Sequence, residues 1–182
     1  MSVHVRHSVM LVLCSLTFVS ASAAADDGGL SMPERKFVVT AAQGNLMEVS
    51  AGKLAAQRAS DPAVREFGQR MVTDHTAANE GLKSLADSKN VTLPDAVSDD
   101  QHAALGKLEG LNGIDFDKAY AQLMVNDHVE DIGDFEKEVK SGKDPDLKAF
   151  AQETLPTLRH HLMLANRLSG QQKKSPSPPP AA

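Results

Sequence analysis

The sequence predicts an all-α fold: a bundle of four long helices with one long connection between the second helix and the third. Two observations support this prediction. Apolar side chains recur at every third or fourth position over four long segments. Two of these segments begin with the dipeptide Asp-Pro, at Asp61-Pro62 and Asp144-Pro145. An Asp at this position caps a helix, and a Pro fits its first turn.

The first 25 residues form a segment of their own. A weakly basic start is followed by an apolar run over residues 9–19 and then by small residues up to Ala25. This order is typical of a secretory signal peptide, and the run is shorter than the ~20 residues of a membrane-spanning helix. We therefore predict a cleaved signal peptide over residues 1–25, a short leader over residues 26–32, and a periplasmic or secreted protein without a transmembrane segment in its mature chain.

The composition of the rest of the chain excludes several kinds of function. The one cysteine, Cys14, lies in the predicted signal peptide and follows the bulky Leu13, where a lipoprotein signal needs a small residue. The mature chain therefore lacks thiols, which excludes disulfides, thiolate metal sites and a cysteine nucleophile. The formal net charge of -5 without a Lys/Arg cluster argues against nucleic-acid binding. Binding to an unidentified protein partner remains one alternative. The polar, Pro-rich residues 170–182 are predicted to be a disordered tail.

The first long helix is predicted within residues 33–60. Its core-facing positions are Phe37, Ala41, Gly44, Glu48, Ala51 and Ala55. Glu48 differs from the other members of this set, because burying an unpaired carboxylate is costly. Two interpretations are open: Glu48 belongs to a polar site inside the bundle, or it lies at the margin of the apolar face and reaches water.

The second long helix is predicted to start at Asp61 and to end near Asn90. Its core-facing positions are Val64, Phe67, Met71, His75, Ala78, Leu82 and Leu85. A long connection over residues 90–114 follows. We expect it to carry a short helix over residues 99–111 with Ser98 as its N-cap.

The third long helix is predicted over residues 115–140, and the fourth begins at Asp144. The core-facing positions of the third are Phe116, Tyr120, Met124, His128, Ile132, Phe135 and Val139. Those of the fourth are Leu147, Ala151, Thr154, Leu158, His161, Ala165 and Leu168. Of the adjacent His160 and His161, only His161 faces the core, because successive helical residues turn by about 100°. Pro156 is expected to kink the fourth helix.

One short motif, Met-Val-x-Asp-His, occurs twice. It covers residues 71–75 in the second helix and residues 124–128 in the third. Each copy puts its His on the core face and its Asp about 100° away, so Asp74 and Asp127 are expected to be surface residues or interhelical hydrogen-bond partners. The two methionines are expected to pack in the core rather than to bind copper or haem.

The long connection makes the second and third helices parallel, which is the connectivity of a ferritin-like four-helix bundle. Counted from the helix ends at ~1.5 Å per residue, Glu48, His75 and His128 share one level, with His161 in it or one turn away. These four side chains suit one divalent transition metal: Zn, Fe, Mn or Cu. They also suit a hydrogen-bonded polar layer that sets the helix register. The sequence leaves this choice open.

Four separated segments carry a family resemblance: Phe37 with Ala41–Val49, Met71–His75, Phe116–Tyr120 and Leu155–Leu162. Over about residues 33–169 the chain resembles a secreted bacterial ferritin-like family of unknown function, whose members are often labelled outer-membrane or periplasmic proteins. The resemblance implies a helical bundle and an envelope location. It implies no established activity.

The well-understood ferritin-like enzymes limit the chemistry further. Their di-iron sites use Glu-x-x-His on two helices, but here the residues three before the histidines are Val72, Val125 and Leu158. A carboxylate-bridged pair of irons is therefore not expected, and no Ser-His-Asp order or paired catalytic carboxylates point to a hydrolase. We expect a non-catalytic envelope or stress-related module. The alternative is a mononuclear metal- or cofactor-binding protein for buffering, sensing or oxidant defence.

Overall fold

The predicted all-α fold is confirmed. The computed structural model describes residues 29–174, and within them five helices form and no strand does. The predicted signal peptide and residues 175–182 lie outside the described residues. The helices are α1 (Met32–Arg58), α2 (Pro62–Ser88), α3 (Asp99–Glu109), α4 (Gly113–Ser141) and α5 (Pro145–Lys174).

The predicted start of the tail needs correction. Helix α5 runs to Lys174 and so includes residues 170–174, which the sequence assigned to the tail. Gln and Lys are good helix formers, and Pro176 is the first residue after Gly170 that would stop a helix. In the predicted leader, Leu30 is buried against the core. The helix also continues past Pro156 without a break.

The helix starts are capped as their sequences predict. The Asp61 carboxylate accepts a hydrogen bond from the Ala63 amide at 2.8 Å. Asp144 accepts from the amides of Asp146 and Leu147, each at 3.0 Å. For α3, Ser98 and Gln101 form a reciprocal capping box, as expected from their spacing.

The four long helices form two antiparallel hairpins, α1–α2 and α4–α5, with α1 packed against α4 and α2 against α5. Contacts at the helix ends set these directions. The Glu34 carboxylate at the start of α1 accepts hydrogen bonds from the Lys143 and Asp144 amides after α4, at 2.7 and 2.8 Å. The Lys89 ammonium after α2 pairs with Asp144 and Asp146 before and within α5, at 2.7 and 2.6 Å. Helices α2 and α4 are therefore parallel, as predicted.

Helices α1 and α2 touch backbone to backbone at two glycines. A Cβ on Gly52 would lie 2.7 Å from the Gly68 carbonyl oxygen, and a Cβ on Gly68 would lie 2.6 Å from the Ala55 Cβ. Both distances are too short for a real side chain. Glycine at these two positions therefore permits the close crossing of α1 and α2.

The core consists of two apolar clusters separated by a polar level. One cluster includes Phe67, Met71, Phe116, Tyr120 and Met124. The other includes Phe37, Leu82, Phe135, Leu147 and Leu158. The order of the cluster residues along α2, α4 and α5 puts His75, His128 and His161 between the clusters, and Glu48 on α1 follows Met47, a member of the first cluster.

Most predicted core positions are buried, with shifts of one residue in three helices. Ala86 is buried where Leu85 was expected, Glu138 where Val139 was expected, and Leu155 where Thr154 was expected. These differences arise because a helical turn has 3.6 residues, so a predicted spacing of three or four residues gradually departs from the buried face. Within the described residues, no helix combines the length and apolar character needed to cross a lipid bilayer.

Candidate metal centre

The structure brings together the four side chains that the sequence singled out. The exposed fraction of Glu48, His128 and His161 is 0%, and that of His75 is 2%, so Glu48 lies inside the bundle rather than at its margin. The ring centroids of the three histidines are 5.3 to 5.6 Å apart. One ring nitrogen of each lies within 4.8 Å of those of the other two. We call His75, His128 and His161 the histidine layer.

His75 is oriented by helix α1. Its Nδ1 lies 2.9 Å from the Asn45 side-chain oxygen, with the geometry of a hydrogen bond. The same nitrogen lies 2.6 Å from Glu48 Oε2, but this oxygen is off the line of the N–H, so neither Glu48 oxygen receives an aligned hydrogen bond. Two oxygen neighbours at Nδ1 hold the ring proton there. The buried Nε2 has no hydrogen-bond partner.

His128 and His161 repeat this arrangement with other partners. His128 Nδ1 donates to the Met124 backbone carbonyl one turn earlier, at 3.0 Å, and its Nε2 has no partner. His161 Nε2 donates to the Asp74 carboxylate on α2 at 2.9 Å, and its Nδ1 has no partner. The expected role of Asp74 as an interhelical hydrogen-bond partner is confirmed.

Each ring of the histidine layer therefore has one nitrogen held by an outer acceptor and one buried nitrogen with a lone pair. Burial lowers the pKa of His75 to about 4 against the opposing charges of Asp131 and Asp74. Burial and the neighbouring histidines lower the pKa of His128 to about 3. Burial also lowers the pKa of His161 to about 4, although its hydrogen bond to Asp74 acts in the other direction. All three imidazoles are neutral near pH 7, the form that binds metals.

A group of carboxylates adjoins this layer between α1 and α4. One oxygen of Glu48, one oxygen of Asp127 and one nitrogen of His128 lie within 4.8 Å of one another. Asp131 is one turn after Asp127, and its carboxylate oxygens lie 3.7 and 3.8 Å from where a Cβ on Gly44 would be. We call Glu48, Asp127 and Asp131 the carboxylate cluster.

The members of the carboxylate cluster favour their protonated forms in the absence of a cation. Burial, with the charge of Asp131, raises the pKa of Glu48 well above its ordinary value. Burial and the adjacent Glu48 raise the pKa of Asp127 to about 9. Burial and Asp127 raise the pKa of Asp131 to about 8. These shifts reflect the cost of placing several like charges in a region of low dielectric.

Two neighbours of the site residues, Asn45 and Asp131, were not predicted from the sequence. Asn45 lies three residues before Glu48, on the same side of the helix, and this spacing was the available signal. The proximity of Asp131 to Glu48 depends on the packing of α1 on α4, which the sequence of neither helix contains. His160, next to His161, is exposed as predicted. The Tyr120 hydroxyl is buried without a partner.

The fold and its interior define the class: an all-helical bundle protein with buried histidines and a buried glutamate at one level. The chain belongs to a family described as a domain of unknown function (DUF4142), whose model matches residues 19–168. This confirms the predicted membership in a helical family of unknown function; the ferritin-like label stays a prediction. The comparison with curated proteins gives no match.

Two solved structures share the fold. A DUF305 fragment from Deinococcus radiodurans has a TM-score of 0.70 at 12% identity and covers 79% of this chain and 99% of its own. A DUF305 protein from Streptomyces coelicolor, described as secreted, has a TM-score of 0.67 at 16% identity and covers 78% of this chain and 92% of its own. At these identities the likeness establishes the fold alone.

Proposed function

We propose that this protein binds one divalent transition metal through the histidine layer. The observation that supports the proposal is the orientation of the three rings. Each has its outer nitrogen bound to an oxygen acceptor and its inner nitrogen buried without a partner. Metal-binding histidines are commonly held in this way, with the second ring nitrogen donating to a carboxylate or a carbonyl.

The same orientation argues against a purely structural hydrogen-bonded layer. Asn45, Met124 and Asp74 accept hydrogen bonds from the three ring N–H groups. The second nitrogen of each ring therefore carries no proton and can only accept a hydrogen bond. Acceptors alone cannot hydrogen-bond to one another, and buried polar atoms without partners are costly. A cation that accepts three lone pairs removes this cost.

The dimensions suit a metal with nitrogen ligands after a small adjustment. Bonds of about 2.0–2.1 Å in a tetrahedral site place ligand nitrogens about 3.3 Å apart. Ring nitrogens within 4.8 Å of one another reach that spacing by side-chain rotation. Glu48 was predicted as a fourth ligand. In this arrangement its carboxylate would instead contact Nδ1 of His75 and help to hold that ring in place. Zn, Cu, Fe and Mn all accept such a donor set, with the softer imidazole ligands favouring Zn and Cu.

The proposed setting is the bacterial envelope, in a non-catalytic role such as metal buffering or stress protection. Support comes from the predicted signal peptide over residues 1–25 and from the lack of cysteine after Cys14. The description of one structural neighbour as secreted agrees with it.

The adjacent histidines of α5 provide a matched test. We expect purified mature protein to bind Co²⁺ or Zn²⁺ at one equivalent, measured by elemental analysis and by the visible absorption of bound Co²⁺. His161→Gln should weaken binding about 100-fold or more, whereas His160→Gln, an exposed neighbour, should leave it unchanged. Sub-stoichiometric metal under every loading condition would sink the proposal. So would a loss of stability in His161→Gln without loss of a bound ion, the result expected of a layer that only sets helix register.

A further inference from the structure

We propose a binding site for a small aromatic carboxylate in the groove between α2 and α5. The site is a surface pocket with a volume of about 270 Å³. This volume is just below the range of about 300–1,000 Å³ found for most small-molecule sites, so the pocket suits a ligand with a single ring. None of its lining residues belongs to the histidine layer, and the proposal does not depend on the proposed metal site.

The base of the pocket is apolar and is supported by the core. Phe67, Leu164 and Leu168 form this base, and all three belong to the apolar cluster of Tyr120 or pack against it. The Phe67 ring meets the rings of Tyr120 and His161 edge to face, with centroids 6.1 Å apart in both pairs. A ligand ring would therefore contact an aromatic side chain that is already held in place from inside the bundle, which limits the entropy lost on binding.

The rim of the pocket carries two arginines without an oxygen acceptor. The structure describes the side chains of six arginines. Four of them donate a hydrogen bond to a carbonyl or carboxylate oxygen: Arg35, Arg58, Arg65 and Arg159. Within the described residues, Arg70 has no such acceptor, and Arg167 donates only to the Met163 sulfur at 3.7 Å. These two guanidinium groups line the same pocket, one from α2 and one from α5. The paired N–H groups of a guanidinium match the two oxygens of a carboxylate.

The charges of the rim favour a ligand with a single negative charge. Glu66 lies one turn before Arg70 on the rim and forms no ion pair with any described side chain. Together Arg70, Arg167 and Glu66 carry one net positive charge, which one carboxylate neutralises and a phosphate dianion exceeds. The imidazole of His160 offers a further N–H donor at the same rim. An aromatic ring over Phe67 with one carboxylate at the arginines therefore matches both parts of the pocket.

The experiment uses benzoate as the probe and metal-free, ¹⁵N-labelled mature protein. We expect benzoate to bind at one equivalent, with a Kd on the order of 1 mM or below. Nuclear magnetic resonance should show shifts of the backbone amides in residues 63–70 and 160–168. Benzamide keeps the ring without the charge, and inorganic phosphate keeps a charge without the ring. Each should bind at least about fivefold more weakly than benzoate. Binding of either probe as tightly as benzoate overturns the proposal.

Matched arginine variants test the role of the two guanidinium groups. Arg70→Gln and Arg167→Gln should each weaken benzoate binding about fivefold or more. Arg159→Gln also removes an exposed arginine from α5, but one that is paired with Glu136, and it should leave the affinity unchanged. All three side chains are exposed, so the variants should fold, which circular dichroism checks.

Two results of these titrations count against the site. Equal benzoate affinity in wild type, Arg70→Gln and Arg167→Gln shows that the arginines do not bind the carboxylate. Benzoate binding that appears only after removal of residues 175–182 shows that the Pro-rich segment of the chain itself is the occupant. Failure of Zn²⁺ binding bears on the proposed function alone.

Discussion

The two copies of the Met-Val-x-Asp-His motif have nearly the same sequence but different surroundings. In the α2 copy, Asp74 accepts a hydrogen bond from His161 across the α2–α5 contact. In the α4 copy, Asp127 lies beside Glu48 on α1. The first aspartate orients an imidazole, and the second belongs to a group of buried acids. The neighbouring helix, rather than the motif, decides what each aspartate does.

The largest difference between the two copies is expected in affinity for a metal that prefers nitrogen ligands. Asp74→Asn should weaken Zn²⁺ binding about 10- to 100-fold, because it replaces the charged acceptor of the His161 N–H with a neutral, weaker one. Asp127→Asn should leave Zn²⁺ affinity nearly unchanged. Isothermal titration of the two variants side by side measures this. Equal losses would show that the two aspartates have equivalent roles.

The next difference is expected in the pH dependence of stability of the metal-free protein. The pKa of Asp127 is raised to about 9 in the folded state, against an ordinary value near 3.9. The folded protein therefore holds a proton that the unfolded chain releases. The stability this group contributes is complete below about pH 4 and is lost as the pH rises toward 9.

Asp127→Asn should therefore flatten the decline in unfolding free energy between pH 7 and 8.5, measured by urea titration with a chelator present. Below about pH 6.5 the buried histidines, whose pKa values are lowered to about 4, 3 and 4, act in the opposite direction, so the test uses the higher range. Asp74→Asn leaves Asp127 in place and should retain the decline. A wild-type protein that becomes more stable from pH 7 to 8.5 in the chelator would contradict this prediction.

The smallest effects are expected at the methionines, where the two copies should behave alike. Met71 and Met124 are fully buried in the same apolar cluster. Met71→Leu and Met124→Leu preserve volume and should each cost about 1.5 kcal/mol or less in unfolding free energy. Neither should alter the metal content. Loss of metal in only one of the two variants would identify that methionine as a ligand and show that the two methionines have different roles.

The sequence was sufficient for the helices and for the level of the site. The spacing of residues such as Phe116, Tyr120, Met124 and His128 predicted α4, and the Asp-Pro dipeptides predicted the starts of α2 and α5. Counting residues from the helix ends then placed the histidines at one height. These features are local, or depend only on the rise of a helix.

The sequence did not predict which residues of other helices contact the site residues. A turn of about 100° puts Asp74 and Asp127 on the flanks of their helices, but it does not say that α5 covers one flank and α1 the other. For the same reason, the sequence did not predict that Asp131 lies near Glu48. Which imidazole nitrogen carries the proton likewise depends on groups from other helices, such as Asn45 on α1 for His75 on α2.

The glycines of α1 have a consequence for how this sequence can vary. Gly52 and Gly44 are eight residues apart on one helix, and both lack a side chain for a reason. At Gly52 the space is filled by the backbone of α2, so even a methyl group would force the two helices apart. At Gly44 the space belongs to a carboxylate from α4, so a methyl group is accommodated and a larger side chain displaces the acid. A substitution at position 52 therefore acts on the crossing of α1 and α2, and a large substitution at position 44 acts on the position of the Asp131 carboxylate.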